Sequence, residues 1–144
     1  MRVTEIFFSI QGEGTRAGRP CVFVRFTGCD LRCVYCDTAY AFHGGRELSR
    51  EEILREVAAH PTRFVLLTGG EPTLQKELPA LARDLLARGY EVAVETHGQR
   101  PLADLPREGS SSAWRGHAPN APSAATCGRG RRFRRCSSPA TFFG

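Results

Sequence analysis

Hydrophobic spacing along the first hundred residues predicts an alternation of strands and helices. Val3 to Phe8 is β-prone, and Cys21 to Phe26 alternates, with Val22, Val24 and Phe26 on one face and Cys21, Phe23 and Arg25 on the other. Leu48-Ser49-Arg50-Glu51-Glu52-Ile53 reads as a helix start: Ser49 and Glu52 have capping-box spacing, and Leu48 and Ile53 sit where a hydrophobic staple would be. Ile53, Leu54, Val57 and Ala58 form one apolar stripe, which Pro61 ends. Phe64-Val65-Leu66-Leu67 is wholly apolar, the mark of a strand buried on both faces. Leu74, Leu78, Leu81, Leu85 and Leu86 then recur at helical spacing, with Gly89 placed as a C-terminal cap, and Tyr90 to Val94 is a further strand. This succession predicts βαβ units around a parallel sheet, with Gln11-Gly12-Glu13, the cysteine loop, Thr68-Gly69-Gly70-Glu71 and Glu95-Thr96 all following strands and converging on one face.

From about residue 107 the pattern stops. Of the 38 residues from Arg107 to Gly144, twenty are Gly, Pro, Ser or Ala, and five of the seven from Arg129 to Arg135 are arginine. Such a stretch buries too little apolar surface to offset its ordering entropy, so residues 107–144 are expected to form a disordered tail behind one domain over 1–106. Charge supports the division. Residues 1–106 carry thirteen basic and fourteen acidic side chains, against seven and one in the tail, so the net +5 says nothing about what the body binds. A nucleic-acid partner is therefore not expected for the body, and a basic arm for RNA is the minor reading of the tail. With no apolar run of membrane-spanning length and no signal-like N-terminus, the expectation is a soluble, cytoplasmic protein.

The candidate chemistry centres on Gly28 to Gly44, where Cys29, Cys33 and Cys36 form a Cys-x3-Cys-x2-Cys triplet followed by Asp37 and Thr38. A disulfide would use two of these thiols and strand the third, and a tetrahedral zinc site would need a fourth ligand. An iron–sulfur cubane on three thiolates, with one iron open, fits the spacing better. Cys21 reads as a buried small side chain. Arg25 either faces a pocket and holds an anion or snorkels at an edge. The Gly12-Glu13-Gly14 stretch is either a plain turn or one whose backbone approaches a ligand.

The triplet with Tyr35 before its last cysteine, and Gly69-Gly70-Glu71-Pro72 downstream, resembles the radical S-adenosylmethionine superfamily. Ile10-Gln11-Gly12-Glu13-Gly14, Arg25 to Leu31, Cys36-Asp37-Thr38 and Leu67 to Pro72 resemble its 7-carboxy-7-deazaguanine synthase family, over about residues 3–106. The resemblance implies a partial (β/α) barrel, truncated here, and a [4Fe–4S] cluster on Cys29, Cys33 and Cys36. It implies S-adenosylmethionine chelating the open iron, its reductive cleavage to a 5′-deoxyadenosyl radical, and hydrogen abstraction from 6-carboxy-5,6,7,8-tetrahydropterin. Ring contraction with loss of ammonia would give 7-carboxy-7-deazaguanine, on the route to queuosine. By the same resemblance Tyr35, Cys36, Asp37, Gly69, Gly70 and Glu71 would bind S-adenosylmethionine, Glu71 accepting from its ammonium. Ile10, Gln11, Gly12, Arg25 and Thr68 would bind substrate, Arg25 through its carboxylate, and Thr38 would be a Mg²⁺ ligand. His43 and His97 match no role. A flavodoxin-like electron donor and a homodimer are the implied partners.

The last quarter departs from the family, which continues with further strand–helix units. Nineteen of the twenty basic residues are arginine, as GC-rich coding gives, and an out-of-frame or otherwise foreign tail is the expected explanation. Two other functions compete: an activase that installs a glycyl radical, and a truncated, inactive remnant that binds a cluster or zinc. Gln11-Gly12-Glu13 with Arg25 argues against the activase, which has little use for them.

Overall fold

The computed structural model describes residues 1–106 and two short strands beyond them, Trp114–Gly116 and Ala124–Thr126. Its strands are β1 (Arg2–Ile10), β2 (Pro20–Phe26), β3 (Arg46–Glu47), β4 (Phe64–Gly69), β5 (Glu91–Thr96), β6 (Trp114–Gly116) and β7 (Ala124–Thr126). They form one mixed sheet in the order β3-β1-β2-β4-β5-β6-β7. β2, β4, β5 and β6 run parallel, with β1 antiparallel to β2 and β7 antiparallel to β6. The tail's predicted disorder falls, apart from β6 and β7, outside the described residues. Those two strands arise where the sequence shows no apolar period, because pairing with the open edge of β5 uses backbone groups that any residue supplies.

Two helices cover one face of the sheet. α1 (Arg50–Ala58) starts with the expected capping box: the Ser49 hydroxyl accepts from Glu52 N–H, and the Glu52 carboxylate accepts from Ser49 N–H at 2.7 Å. α2 (Leu78–Ala87) ends at Gly89, whose φ of +78° is the left-handed conformation such a cap requires. Ile53, Leu54, Val57, Leu78, Leu81 and Leu85 pack on Val22, Val24, Phe26, Val65, Leu67, Val92 and Val94 in the main core. Cys21, Phe64, Leu66 and Ala93, with Phe23 beside them, lie on the opposite face. β4 is buried on both faces, as its apolar run predicts. α-Helices on the outside and, among the described residues, an inner face free of them give the partial-barrel architecture that the family resemblance implies.

Two expectations change. The helix predicted from Leu74 begins only at Leu78; Leu74 lies in a 3-10 turn, Pro72–Leu74. Pro79 explains this, because in a continuous helix it would leave the Gln75 carbonyl without a donor and its ring would clash there. The second change concerns direction. β1 and β2 form an antiparallel hairpin, with Ile10 opposite Pro20, so Gln11-Gly12-Glu13 leaves the end of the sheet opposite to the cysteine loop. Of the four motif-bearing strand ends, those of β2, β4 and β5 share an edge and that of β1 does not.

Candidate functional site at the strand ends

The parallel register sets Phe26 beside Gly69, and β2 and β4 leave the sheet side by side. Gly70 N–H donates to Phe26 O at 3.1 Å, and Glu71 N–H donates to Gly28 O at 2.8 Å. This approach depends on glycine. A Cβ on Gly69 would stand 2.2 Å from Phe26 O, and one on Gly70 would stand 2.1 Å from Gly28 O and 3.0 Å from Cys29 Cβ. The glycine pair therefore seats the start of the cysteine loop directly on β4.

Cys29, Cys33 and Cys36 are free and half-buried on that loop. Cys36 N–H donates to Cys33 O, and Leu31 N–H points at Cys29 Sγ at 3.4 Å. Burial pushes the Cys29 thiol up, against the Leu31 amide, which favours the thiolate. Among the described residues no three His, Cys, Asp or Glu side chains stand close enough together to hold a metal ion. The thiols share a loop without converging on one centre. The loop's far part is solvated, with Val34 fully exposed and Tyr35 exposed beside it. Thr38 precedes the 3-10 turn Ala39–Phe42, and its hydroxyl donates to Asp37 Oδ1 at 2.7 Å rather than capping the turn. As a donor set, three free thiols with a carboxylate and a hydroxyl behind the last one suit a thiolate-held cluster with an oxygen-bound ion nearby.

Glu71 has no exposed surface. Its Oε1 accepts from Thr73 N–H at 2.9 Å, from the Thr73 hydroxyl and from the Thr96 hydroxyl at 2.7 Å, while Oε2 accepts from His97 N–H at 2.9 Å. The family resemblance aims this carboxylate at an ammonium. In the fold it is occupied by the protein and ties the end of β4 to the end of β5.

The inner face carries the polar groups that the period-2 pattern of β2 and β4 places there. Arg25 Nε donates to Glu5 Oε1 at 2.8 Å, the Tyr40 hydroxyl donates to the same oxygen at 2.8 Å, and the guanidinium lies 5.7 Å from the centres of both the Phe7 and Tyr40 rings. Thr68 Oγ1 donates to Glu95 Oε2 at 3.0 Å, and Gln11 Nε2 to Glu95 Oε1 at 3.2 Å. Gln11 thus joins this face although its loop starts at the far end, because residues 11–16 fold back under β4 and β5. Arg16 and Arg19 hold that loop by pairing with Glu91 and lying over the Phe64 ring. A small cleft opens there among Gln11, Arg16, Phe64, Leu66 and Glu95. Ile10 and Gly12 stay exposed at the rim.

Three residues at the centre went unassigned in the sequence reading: Glu95, His97 and Asp30. For Glu95 a signal existed, since β5 alternates Val92 and Val94 into the core with Ala93 and Glu95 opposite. His97 and Asp30 gave none, because their pairing spans 67 positions. The hydrogen bond from His97 and that from Arg100 hold the Asp30 carboxyl below the usual carboxylate range, against partial desolvation. Cys21 is inert by contrast, its thiol pushed up to about 12 by burial.

A family model described as the Radical SAM superfamily matches residues 23–110, a span that includes the cysteine triplet and the glycine-pair strand end. The chain belongs to the radical SAM superfamily. Membership carries with it S-adenosylmethionine and a [4Fe–4S] cluster. The chain is 50% identical over 110 residues to a 7-carboxy-7-deazaguanine synthase of Koribacter versatilis, covering 75% of this chain and 49% of that protein. It is 43% identical over 109 residues to one of Methanospirillum hungatei, covering 75% and 47%, and 45% identical over 103 residues to one of Bacteroides thetaiotaomicron, covering 72% and 55%. A crystal structure of QueE from Escherichia coli superposes with a TM-score of 0.67 at 25% identity, over 77% of this chain and 58% of that one. The chain spans about half the length of the curated relatives it matches. Among the described residues, no helix is long and apolar enough to cross a membrane.

Proposed function

We propose that this radical SAM protein is a carbon–nitrogen lyase converting 6-carboxy-5,6,7,8-tetrahydropterin to 7-carboxy-7-deazaguanine with loss of ammonia. The observation that carries the reading is the placement of Arg25, Thr68 and Gln11 on one inner face, whose rim at the ends of β2 and β4 is the cysteine loop. The similar proteins of Koribacter versatilis and Methanospirillum hungatei bear the corresponding name and support it.

In this proposal Cys29, Cys33 and Cys36 hold the cluster, which with S-adenosylmethionine supplies the radical chemistry when bound. Tyr35, Cys36 and Asp37 line the adenosine, while Gly69, Gly70 and Glu71 meet the methionine end through backbone. Arg25 leaves Glu5 for the substrate carboxylate, a bidentate acceptor that matches its fork. Thr68, with Gln11 and the backbone of Ile10 and Gly12, reads the pterin edge. Glu95 lies between Gln11 and Thr68, and its two oxygens suit the paired N–H donors of an aminopyrimidinone. Thr38, beside Asp37, offers Mg²⁺ a hydroxyl and leaves other positions to water and substrate oxygens. A flavodoxin-like donor and a homodimer complete the proposal.

Incubating the anaerobically reconstituted chain with carboxytetrahydropterin, S-adenosylmethionine, Mg²⁺ and reductant should form 7-carboxy-7-deazaguanine. Cleavage of S-adenosylmethionine without deazapurine would refute the substrate assignment. One further reading is a chain that binds the cluster without turning over substrate. Iron uptake without either product would assign it.

A further inference from the structure

His97 stands where three loops meet. Its side chain is only 8% exposed, and its Nε2 lies 2.8 Å from Asp30 Oδ1 in the cysteine loop and 3.3 Å from Glu71 Oε2 at the end of β4. Gln99 N–H donates to Nδ1 at 3.1 Å, which leaves the ring proton on Nε2, directed at the two carboxylates. Glu71 is itself held by Thr73, Thr96 and the His97 backbone. The ring is thereby fixed on one side by buried groups and presents one N–H to Asp30, the residue after the first cysteine.

Arg100 also pairs with Asp30 Oδ2 at 3.0 Å, but both members of that pair are 42% exposed. Exposed ion pairs contribute little, so the half-buried imidazole bond is the stronger tie. Among the described residues, no comparable contact reaches Cys33, Val34 or Tyr35, and the backbone bond there, from Cys36 N–H to Cys33 O, is within the loop.

We infer that His97 is a positioning residue for the cysteine loop: through Asp30 it fixes Cys29 to the ends of β4 and β5, and leaves Cys33 and Cys36 to gather onto it. The second half of this inference rests on the triplet holding the cluster. The first half concerns the chain alone.

The test is amide hydrogen exchange on the full-length apo chain under reducing conditions, for the parent and for His97→Ala, His97→Gln and Asp30→Ala, followed by iron uptake under anaerobic reconstitution. In the parent, amides 29–31 should exchange more slowly than amides 34–36. His97→Ala and Asp30→Ala should each speed exchange at 29–31 by about tenfold, the scale of one lost charge-assisted hydrogen bond, with α1 and α2 unchanged. Iron uptake should slow in both. His97→Gln should restore both readouts, because its side-chain N–H can occupy the position of Nε2. Asp30→Ala removes only an exposed partner and keeps the test open should His97→Ala fail to fold. Unchanged exchange at 29–31 in Asp30→Ala overturns the inference, as does uniform acceleration across the sheet and helices in His97→Ala with no rescue by Gln. If the exchange pattern appears but the parent takes up no iron, the tie stands and the cluster reading falls.

Discussion

Gly70→Ala tests the packing on which the candidate site is built. Gly70 does not have a positive φ, so its backbone accepts a side chain, and the whole cost lies in the contact. The added Cβ would sit 2.1 Å from Gly28 O, 2.6 Å from Gly28 C and 3.0 Å from Cys29 Cβ, and relief requires β4 and the cysteine loop to part by about an ångström. That movement breaks the bonds from Gly70 N–H to Phe26 O and from Glu71 N–H to Gly28 O. Two hydrogen bonds at about 1 kcal/mol each, with about 1–3 kcal/mol for overpacking, give a loss of roughly 3–5 kcal/mol. The assay is urea unfolding of the apo chain, paired with iron content after anaerobic reconstitution. Gly89→Ala is the control for stability alone: its φ of +78° costs about 1–2 kcal/mol, with nothing within 4 Å of the new methyl, and it should leave iron uptake intact. Gly70→Ala should lose both stability and iron. A Gly70→Ala chain within about 1 kcal/mol of the parent, with normal iron uptake, would refute the reasoning.

Three further outcomes follow from the same contacts. Glu71→Gln replaces a buried acceptor with a group that must turn N–H atoms toward Thr73, Thr96 or His97 donors, and should cost about 2–3 kcal/mol in urea unfolding. Ser49→Ala should cost about 1 kcal/mol as a lost cap. Bonds from the Ser49 backbone and hydroxyl lower the Glu52 carboxyl below its ordinary 4.5, and only the hydroxyl's share is lost in Ser49→Ala; that share is complete above pH 4.5 and fades as pH falls through the lower folded value. Stability curves of parent and Ser49→Ala should therefore draw closer below pH 4.5 without meeting, because the bond from Glu52 N–H to the Ser49 hydroxyl is lost at every pH. Peptide-mapped alkylation of the folded chain at pH 8 should leave Cys21, whose thiol titrates near 12, unlabelled until denaturant is added.

The helices and parallel strands were legible because each writes a short-range period: the Ser49–Glu52 box, the Leu78–Leu85 stripe and the Phe64–Leu67 run all appear where the spacing placed them. The direction of β1 was not. A nine-residue connection with three glycines serves a hairpin as well as a ligand loop, and only pairing decides between them. At the site, spacing identified the side chains but not their orientation. Glu71 shows the limit: a carboxylate in a glycine-rich strand end reads as a ligand group, whereas three neighbours from β5 and the following turn turn it inward. The glycines beside it carry a similar lesson, since their first role is contact between two chain segments. The tie between Asp30 and His97 has no local signature at all and depends on the parallel order of β2, β4 and β5.

The central claim is that Cys29, Cys33 and Cys36 hold a cluster with one iron open to S-adenosylmethionine. Electron paramagnetic resonance of the anaerobically reconstituted and reduced chain, recorded with and without S-adenosylmethionine, tests it most directly. The account predicts about four irons per chain and a spectrum that changes when S-adenosylmethionine is added. A spectrum indifferent to S-adenosylmethionine, or a chain that binds a single zinc in place of iron, would contradict it.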